Sequence, residues 1–392
     1  MIESKHKRYY FDSLFLLELA RTLPHAVLTI ILINKGLSLK DITIVQIFYM
    51  AAIIIFEFPS GVISDIFDRK IVYLVSIFLL MISYFIIFKA SSFILLCISW
   101  FIYGMSAAIN TGTIDISFTK LYQNDSKKLK AFMSSVKMIL SISAILGGYI
   151  GSVLYLYIDV KIYLISLLIY LISSLITIFF IPNDKSTDHE RSKEDLALYL
   201  AKFKKKIIIL LKSKELLELF ILNSLIQFFY QPFYLYWQVI FADKNISISI
   251  FGIIYILFRL SDIVGAWTFR KIKHSKYDIY AILAMIFLLS VLIKIVTHIY
   301  IFITMVIFLV ILISIYSNNL EYFLRKNVDS KVLGTITSVN STLSRIFSVL
   351  ALAICSILTN FISAINAFIL LILIFCIMSV IVTYKFKNNG KS

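Results

Sequence analysis

Residues 57–70 read Glu57-Phe58-Pro59-Ser60-Gly61-Val62-Ile63-Ser64-Asp65-Ile66-Phe67-Asp68-Arg69-Lys70, a short charged turn closing the apolar run 41–64 and opening the run 71–88. Each run approaches the ~20 residues that a helix needs to cross ~30 Å of hydrocarbon. Working outward, the same alternation continues to both ends of the chain. Further apolar runs occupy 10–34, 92–119, 132–156, 161–181, 216–242, 246–269, 278–296, 299–323, 332–358 and 361–384, making twelve in all. None alternates polar with apolar, so the runs predict helices rather than the ~9–11-residue strands of an outer-membrane barrel. In lipid no water satisfies the backbone, which leaves the helix as the natural state of each run.

Composition supports this reading. Of 392 residues 60% are apolar and 15% charged, and mean hydropathy is +0.93. Soluble domains hold about 45–50% apolar and ~25% charged residues, and a soluble fold of this composition would expose large apolar patches. The net charge of +16 does not imply nucleic acid. Lys and Arg divide 28 to 6 between alternate connectors, with Arg21, Lys137, Arg259 and Arg345 inside runs. That bias predicts both termini and the long connector 183–215 on the cytoplasmic side of the cell's inner membrane. The Lys-rich N-terminus followed by an apolar stretch has the outline of a signal peptide, but Glu18 and Arg21 interrupt the apolar core. It is therefore expected to remain as the first span.

The connector 183–215 divides the chain into a six-span bundle at 1–182 and a second at 216–392, the pattern of a duplicated bundle. Within it Leu196, Leu200, Phe203, Ile207 and Leu210 recur at helical spacing beside Lys202, Lys204, Lys205 and Lys206. They predict an amphipathic helix on the anionic inner leaflet. Cys97, Cys355 and Cys376 lie inside apolar runs without metal-ligand spacing, so neither a disulfide framework nor a metal site is expected.

The 57–70 turn resembles the signature of the major facilitator superfamily: a glycine, an acid four residues on, then a basic pair. Ile66 and Asp68 stand where the family usually has Arg and Gly. The resemblance implies an all-α membrane fold of two pseudo-symmetric six-helix bundles, rocking about a central site. It also implies a cytoplasmic latch at Gly61, Asp65, Arg69 and Lys70, with the basic pair at headgroup level. Gly265 with Arg270-Lys271 looks like a second copy lacking the acid. The fourth run, Tyr103-Gly104-Met105-Ser106-Ala107-Ala108 through Asp115, and Gly147-Gly148 in the fifth are similar to bacterial drug-efflux members. Trp100 replaces the Arg that those members often carry, and Ser143-Ala144 replaces their Gly-Pro.

Ionisable groups inside a span cost at least ~2.5–3.5 kcal/mol near its centre and mark functional candidates. Glu18 and Arg21 share a face of the first run, with His25 a turn further on. They are either a proton-binding site or a permanent structural couple. Asp115 is the second proton-coupling candidate. Arg259 with Asp262 and Glu321 with Arg325 read as structural or surface pairs, whereas Arg345 stands alone deep in the eleventh run. The seventh run carries Gln227, Gln231, Pro232, Tyr234 and Trp237, either aromatic packing or a pocket for an amphiphilic compound; Arg345 joins them as a substrate-binding candidate.

No phosphate-binding loop or catalytic constellation occurs, so no enzyme and no cofactor is expected. The expectation is a monomeric, proton-coupled exporter of small amphiphilic compounds, whose partners are the substrate, protons and membrane lipids, and not nucleic acid. A nutrient importer of the same fold, or a non-transporting binding or immunity protein, are the alternatives.

Overall fold

The computed structural model describes residues 2–110, 113–122, 125–183, 214–271, 278–326 and 333–389. The amphipathic segment expected at 196–210 lies outside them. Among the described residues the regular structure is helical: α1 (Ile2–Thr22), α2 (Leu28–Asn34), α3 (Leu39–Ile66), α4 (Arg69–Lys89), α5 (Phe93–Asn110), α6 (Ile114–Tyr122), α7 (Ser126–Ile158) and α8 (Ile162–Phe180) come first. Then follow α9 (Lys214–Leu225), α10 (Gln227–Asp243), α11 (Phe251–Lys271), α12 (Asp278–Ile295), α13 (Ile299–Lys326), α14 (Leu333–Leu358) and α15 (Ala364–Asn389).

Each of the twelve apolar runs is occupied by one or two of these helices. Eight described stretches are by themselves long and apolar enough to cross a membrane, and one of them, Lys127–Phe180, has 54 residues, enough for two passes. The ninth run holds a shorter apolar helix, Ile279–Ile295. The first and seventh runs are not among the eight, because each is interrupted and carries polar residues. Asp68 explains the turn on which the sequence was first read. Its side chain accepts from Lys70 N at 2.8 Å and caps α4, leaving the basic pair at the opening of the helix. Asp125 caps α7 in the same way, and the N–H groups of Lys128 and Lys127 hold its carboxyl below the usual range.

The chain forms two compact units, residues 1–194 with 247–256, and 195–246 with 257–392. In the first, α1 packs on α7 and α8, α4 on α5 and α8, and α5 on α3. In the second, α9 and α10 pack on α14 and α15, and α12 on α13 and α15. Spans one, three, four, five and six thus pair as spans seven, nine, ten, eleven and twelve do. This is the contact pattern of a repeat.

Burial is inverted relative to a soluble bundle. On α4, Ser76 and Ser83 are fully buried while Phe78 is 62% exposed and Phe85 52%. Large apolar side chains facing outward are stable only in lipid, and small hydroxyls facing inward let helices approach and bond. Ser83 Oγ lies 3.1 Å from Ser99 Oγ, Ser99 Oγ donates to Ser83 O at 2.9 Å, and Ser106 Oγ donates to Ser76 O at 2.7 Å. Ser13, Ser173, Thr177 and Tyr73 form a similar hydroxyl cluster joining α1, α4 and α8, with Ser13 Oγ 2.8 Å from Thr177 Oγ1 and 2.9 Å from Ser173 Oγ. The protein is a multi-pass membrane protein.

Candidate functional site

The first span breaks where Pro24, lacking an N–H, ends the helical ladder. Leu23 N still reaches Leu19 O at 3.1 Å, but His25 N turns back to Thr22 O and α2 resumes only at Leu28. The carbonyl of Arg21 thereby loses its helical partner, and Tyr84 Oη donates to it at 2.7 Å. Immediately before this break, Arg21 Nη2 meets Glu18 Oε1 at 2.6 Å. The Glu18 side chain is 10% exposed and that of Arg21 35%. The paired carboxylate is thus buried, and its guanidinium partner keeps an open side.

Glycines on α7 make the break possible. A Cβ on Gly147 would lie 2.8 Å from Leu19 O and collide with Thr22 Oγ1, and one on Gly151 would strike the Leu23 carbonyl. These residues extend the Gly147-Gly148 pair singled out from the sequence. They let α7 lie directly against the exposed backbone of α1. Thr22 Oγ1 donates to Glu18 O at 2.8 Å and approaches Ser143 O at 3.2 Å, tying the two helices together.

Around this centre lies a tyrosine cluster that the sequence reading missed. Tyr103 Oη is 3.4 Å from His25 Nε2. Its ring is 5.0 Å from that of Tyr49 and 5.9 Å from Tyr84, and Tyr84 packs on Tyr163 at 5.1 Å and Tyr170 at 5.2 Å. One signal was present: Tyr163 and Tyr170 are seven apart on the sixth span and share a face.

Asp115 belongs to a different neighbourhood. It lies in the first turn of α6, the second helix of the fourth run. Tyr10, Phe118 and Phe132 stack there, with ring centroids 5.5 Å apart for Tyr10–Phe118 and for Phe118–Phe132. Of the latch residues, Arg69 is 4% exposed and its Nη1 lies 3.5 Å from Ser117 Oγ on α6. α6 packs over the start of α4, so protein covers the Arg69 side chain. Lys70 Nζ instead donates to Ile178 O near the end of α8 at 2.9 Å. Gly61 and Asp65 lie on the last turns of α3; their side-chain surroundings are outside the described residues.

The second unit brings Gln227 and Gln231 together with Ser348, which the sequence reading did not select. Gln231 Nε2 donates to Gln227 Oε1 and to Ser348 Oγ, both at 3.2 Å, and Ser348 Oγ donates to Gln227 Oε1 at 3.1 Å. Gln227 opens α10 just past the break at Ile226, and Arg345 is on α14, three residues before Ser348. Tyr234 is 40% exposed, stacks on Tyr230 at 5.8 Å, and holds the Arg259 guanidinium 5.9 Å from its ring centre. Trp237, 2% exposed, packs edge-on to Phe258 at 5.3 Å and Phe241 at 5.8 Å, so its ring belongs to the core of this unit. Among the described residues no group of three His, Cys, Asp or Glu could hold a metal ion.

The profile of the Major Facilitator Superfamily matches residues 13–352. A comparison with curated protein sequences finds no match. Among solved structures, a point mutant of the nucleoside transporter NupG is similar with a TM-score of 0.74 at 16% identity, over 98% of this chain and 99% of that one. A bacterial homologue of the iron transporter ferroportin, in an inward-facing state, is similar with a TM-score of 0.74 at 11% identity, over 98% of each chain. At such identities the likeness is one of fold. Together with the family match over most of the chain, it establishes that this protein is a transporter-fold member of the major facilitator superfamily.

Proposed function

We propose that this protein is a proton-coupled secondary transporter that exports small amphiphilic compounds. The observation that carries the reading is the buried Glu18–Arg21 pair beside the break in the first span, 2.6 Å between charged atoms. A proton arriving at Glu18 neutralises the carboxylate and ends the attraction. Arg21, one third exposed, must then turn to water or another acceptor, and α1 changes its energy with each proton bound. Asp115, on α6, is the second protonation site. Gly61, Asp65, Arg69 and Lys70 form the latch at the same end of the first unit.

Substrate is assigned to Gln227, Gln231, Tyr234 and Arg345. The amide–hydroxyl triangle offers donors and acceptors without charge, and the tyrosines offer flat apolar faces, a set suited to compounds with a polar edge and an aromatic body. Those same features favour a second reading, import of a polar heteroaromatic nutrient through the same groups. The amide triangle in this reading is neutral, and nothing in it sets direction.

The test is flux in liposomes. A panel of labelled compounds is presented to cells expressing the protein, and the compound whose accumulation changes most is carried into vesicles with an imposed pH gradient. Lower accumulation supports export and higher accumulation import; no flux of any compound supports the non-transporting alternative. Glu18→Gln should abolish gradient-driven flux while leaving substrate exchange without a gradient. Full gradient-driven flux in that variant sinks the coupling role.

A further inference from the structure

Two short segments repeat in sequence and in conformation. Lys35-Gly36-Leu37-Ser38 closes the first span, and Lys244-Asn245-Ile246-Ser247 closes the seventh, 209 residues later. Lys35 and Lys244 are the C-cap residues of α2 and α10. Gly36 and Asn245 follow with φ of 91° and 60°, the left-handed conformation that glycine and asparagine tolerate. Both segments then make the same pair of closing bonds. Gly36 N reaches Ile33 O at 2.8 Å and Leu37 N reaches Leu32 O at 3.2 Å, while Asn245 N reaches Ala242 O at 2.8 Å and Ile246 N reaches Phe241 O at 3.1 Å. Leu37 and Ile246 are buried, 6% and 4% exposed.

The lysines do the same thing in each unit. Lys35 Nζ donates to Ala90 O at 2.8 Å, just past the end of α4 in the third span, and to Phe88 O at 3.4 Å in its last turn. Lys244 Nζ donates to Val296 O at 3.1 Å, past the end of α12 in the ninth span, and lies 5.4 Å from the Phe302 ring centre. The ends of α4 and α12 leave carbonyls without helical partners, and a cation there is favoured by both hydrogen bonding and the helix dipole. Burial pushes the Lys35 ammonium below its usual range, although the nearby Asp159 works the other way. These contacts use two of the six lysines expected on the scarcer side of the charge bias.

The register of this repeat also relates the two candidate sites. Lys35 lies 17 residues after Glu18, and Lys244 lies 17 residues after Gln227. The isosteric pair Glu18 and Gln227 therefore stands at the same distance along the sequence from the two clamps. The continuous helix α10 joins Gln227 to Lys244, whereas the break in the first span falls between Glu18 and α2, the helix that ends at Lys35.

We infer that Lys35 and Lys244 are matched positioning residues, each anchoring the C-terminal part of a broken span to the end of the span two places on, so that the N-terminal parts α1 and α9 take up the movement at the breaks. This rests on the transport reading for its purpose but not for its test. The test is hydrogen–deuterium exchange of the full chain in lipid nanodiscs. In the unaltered protein, α2 should exchange more slowly than the last turn of α1, and α10 more slowly than α9. Lys35→Met should speed exchange about tenfold over 28–37 and 86–90 only, the loss expected for one charge-assisted hydrogen bond. Lys244→Met should do so over 238–246 and 294–296 only, and Lys35→Arg should restore the original rates. Lys161→Met, an exposed lysine, serves as the control. Uniform acceleration across a whole unit, an effect no larger than that of the control, or equal exchange on both sides of the breaks would overturn the inference. A protein that shows the clamp pattern yet moves no compound would sink the transport reading alone.

Discussion

Spans one and seven each carry, 17 residues before a clamping lysine, a side chain of nearly the same shape, Glu18 in one and Gln227 in the other. In the first, Glu18 holds a charge beside Arg21; in the seventh, Gln227 holds a neutral amide between Gln231 and Ser348. Carboxylate and carboxamide have nearly the same shape, so helix packing alone does not distinguish them. What distinguishes them is cost: the charge needs a buried partner to survive among apolar side chains, whereas the amide needs only hydrogen bonds. A group that can gain or lose a proton sits in one unit, and a group that can only donate and accept sits in the other. This division is the physical basis on which we propose proton coupling in the first unit and substrate binding in the second.

The largest effect is expected where the first span is held closest. Gly151→Val would drive a side chain into the Leu23 backbone, which cannot yield as a side chain can. A loss of about 3 kcal/mol or more follows, read as failure to recover monodisperse protein or a sharply lowered Tm. A fully stable Gly151→Val protein would show that the break in span one is not gripped by α7.

Exchanging the central atoms tests the comparison itself. Glu18→Gln removes the only acid of its pair and should cost about 2 kcal/mol of stability, the worth of a hydrogen bond to a charged group, together with the gradient response. The reverse change, Gln227→Glu, should leave the fold intact and make KM depend on pH in the range where a buried carboxyl titrates. If Gln227→Glu shows no new pH dependence, the second unit does not contact substrate at this position.

A smaller change is expected at Gln231, whose amide bonds both Gln227 and Ser348. Gln231→Ala should raise KM about tenfold, or ~1.4 kcal/mol, with kcat little altered. An altered kcat at constant KM would move Gln231 from binding to conformational change. The smallest effect belongs to the hydroxyls between spans. Ser83→Ala should lower stability by ~0.6 kcal/mol, measured as a Tm shift of a few degrees at most.

The surroundings of Arg69 show what the spacing of a motif leaves open. The basic pair was legible from its spacing, and Asp68 as a helix cap explains why the turn falls there. That α6 packs over Arg69 was not legible, since it depends on how the third and fourth spans meet rather than on the pattern within either. Nor was Trp237's place in an aromatic core distinguishable from a pocket wall, because the same stripe serves either purpose until its neighbours are known.

The sequence by itself determined the membrane setting, the helical state of every apolar run, the membership suggested by residues 57–70, and Glu18 with Arg21 as a pair three residues apart. These follow from local physics: hydropathy, helical spacing and the cost of charge in lipid act within one segment. Only the tertiary structure decided that Tyr84 caps the broken carbonyl of Arg21, that Ser348 completes the glutamine triangle, and that Lys35 and Lys244 reach the ends of other spans. Each of those joins residues more than fifty positions apart, and which distant groups meet is set by how helices pack, not by the pattern along any one of them.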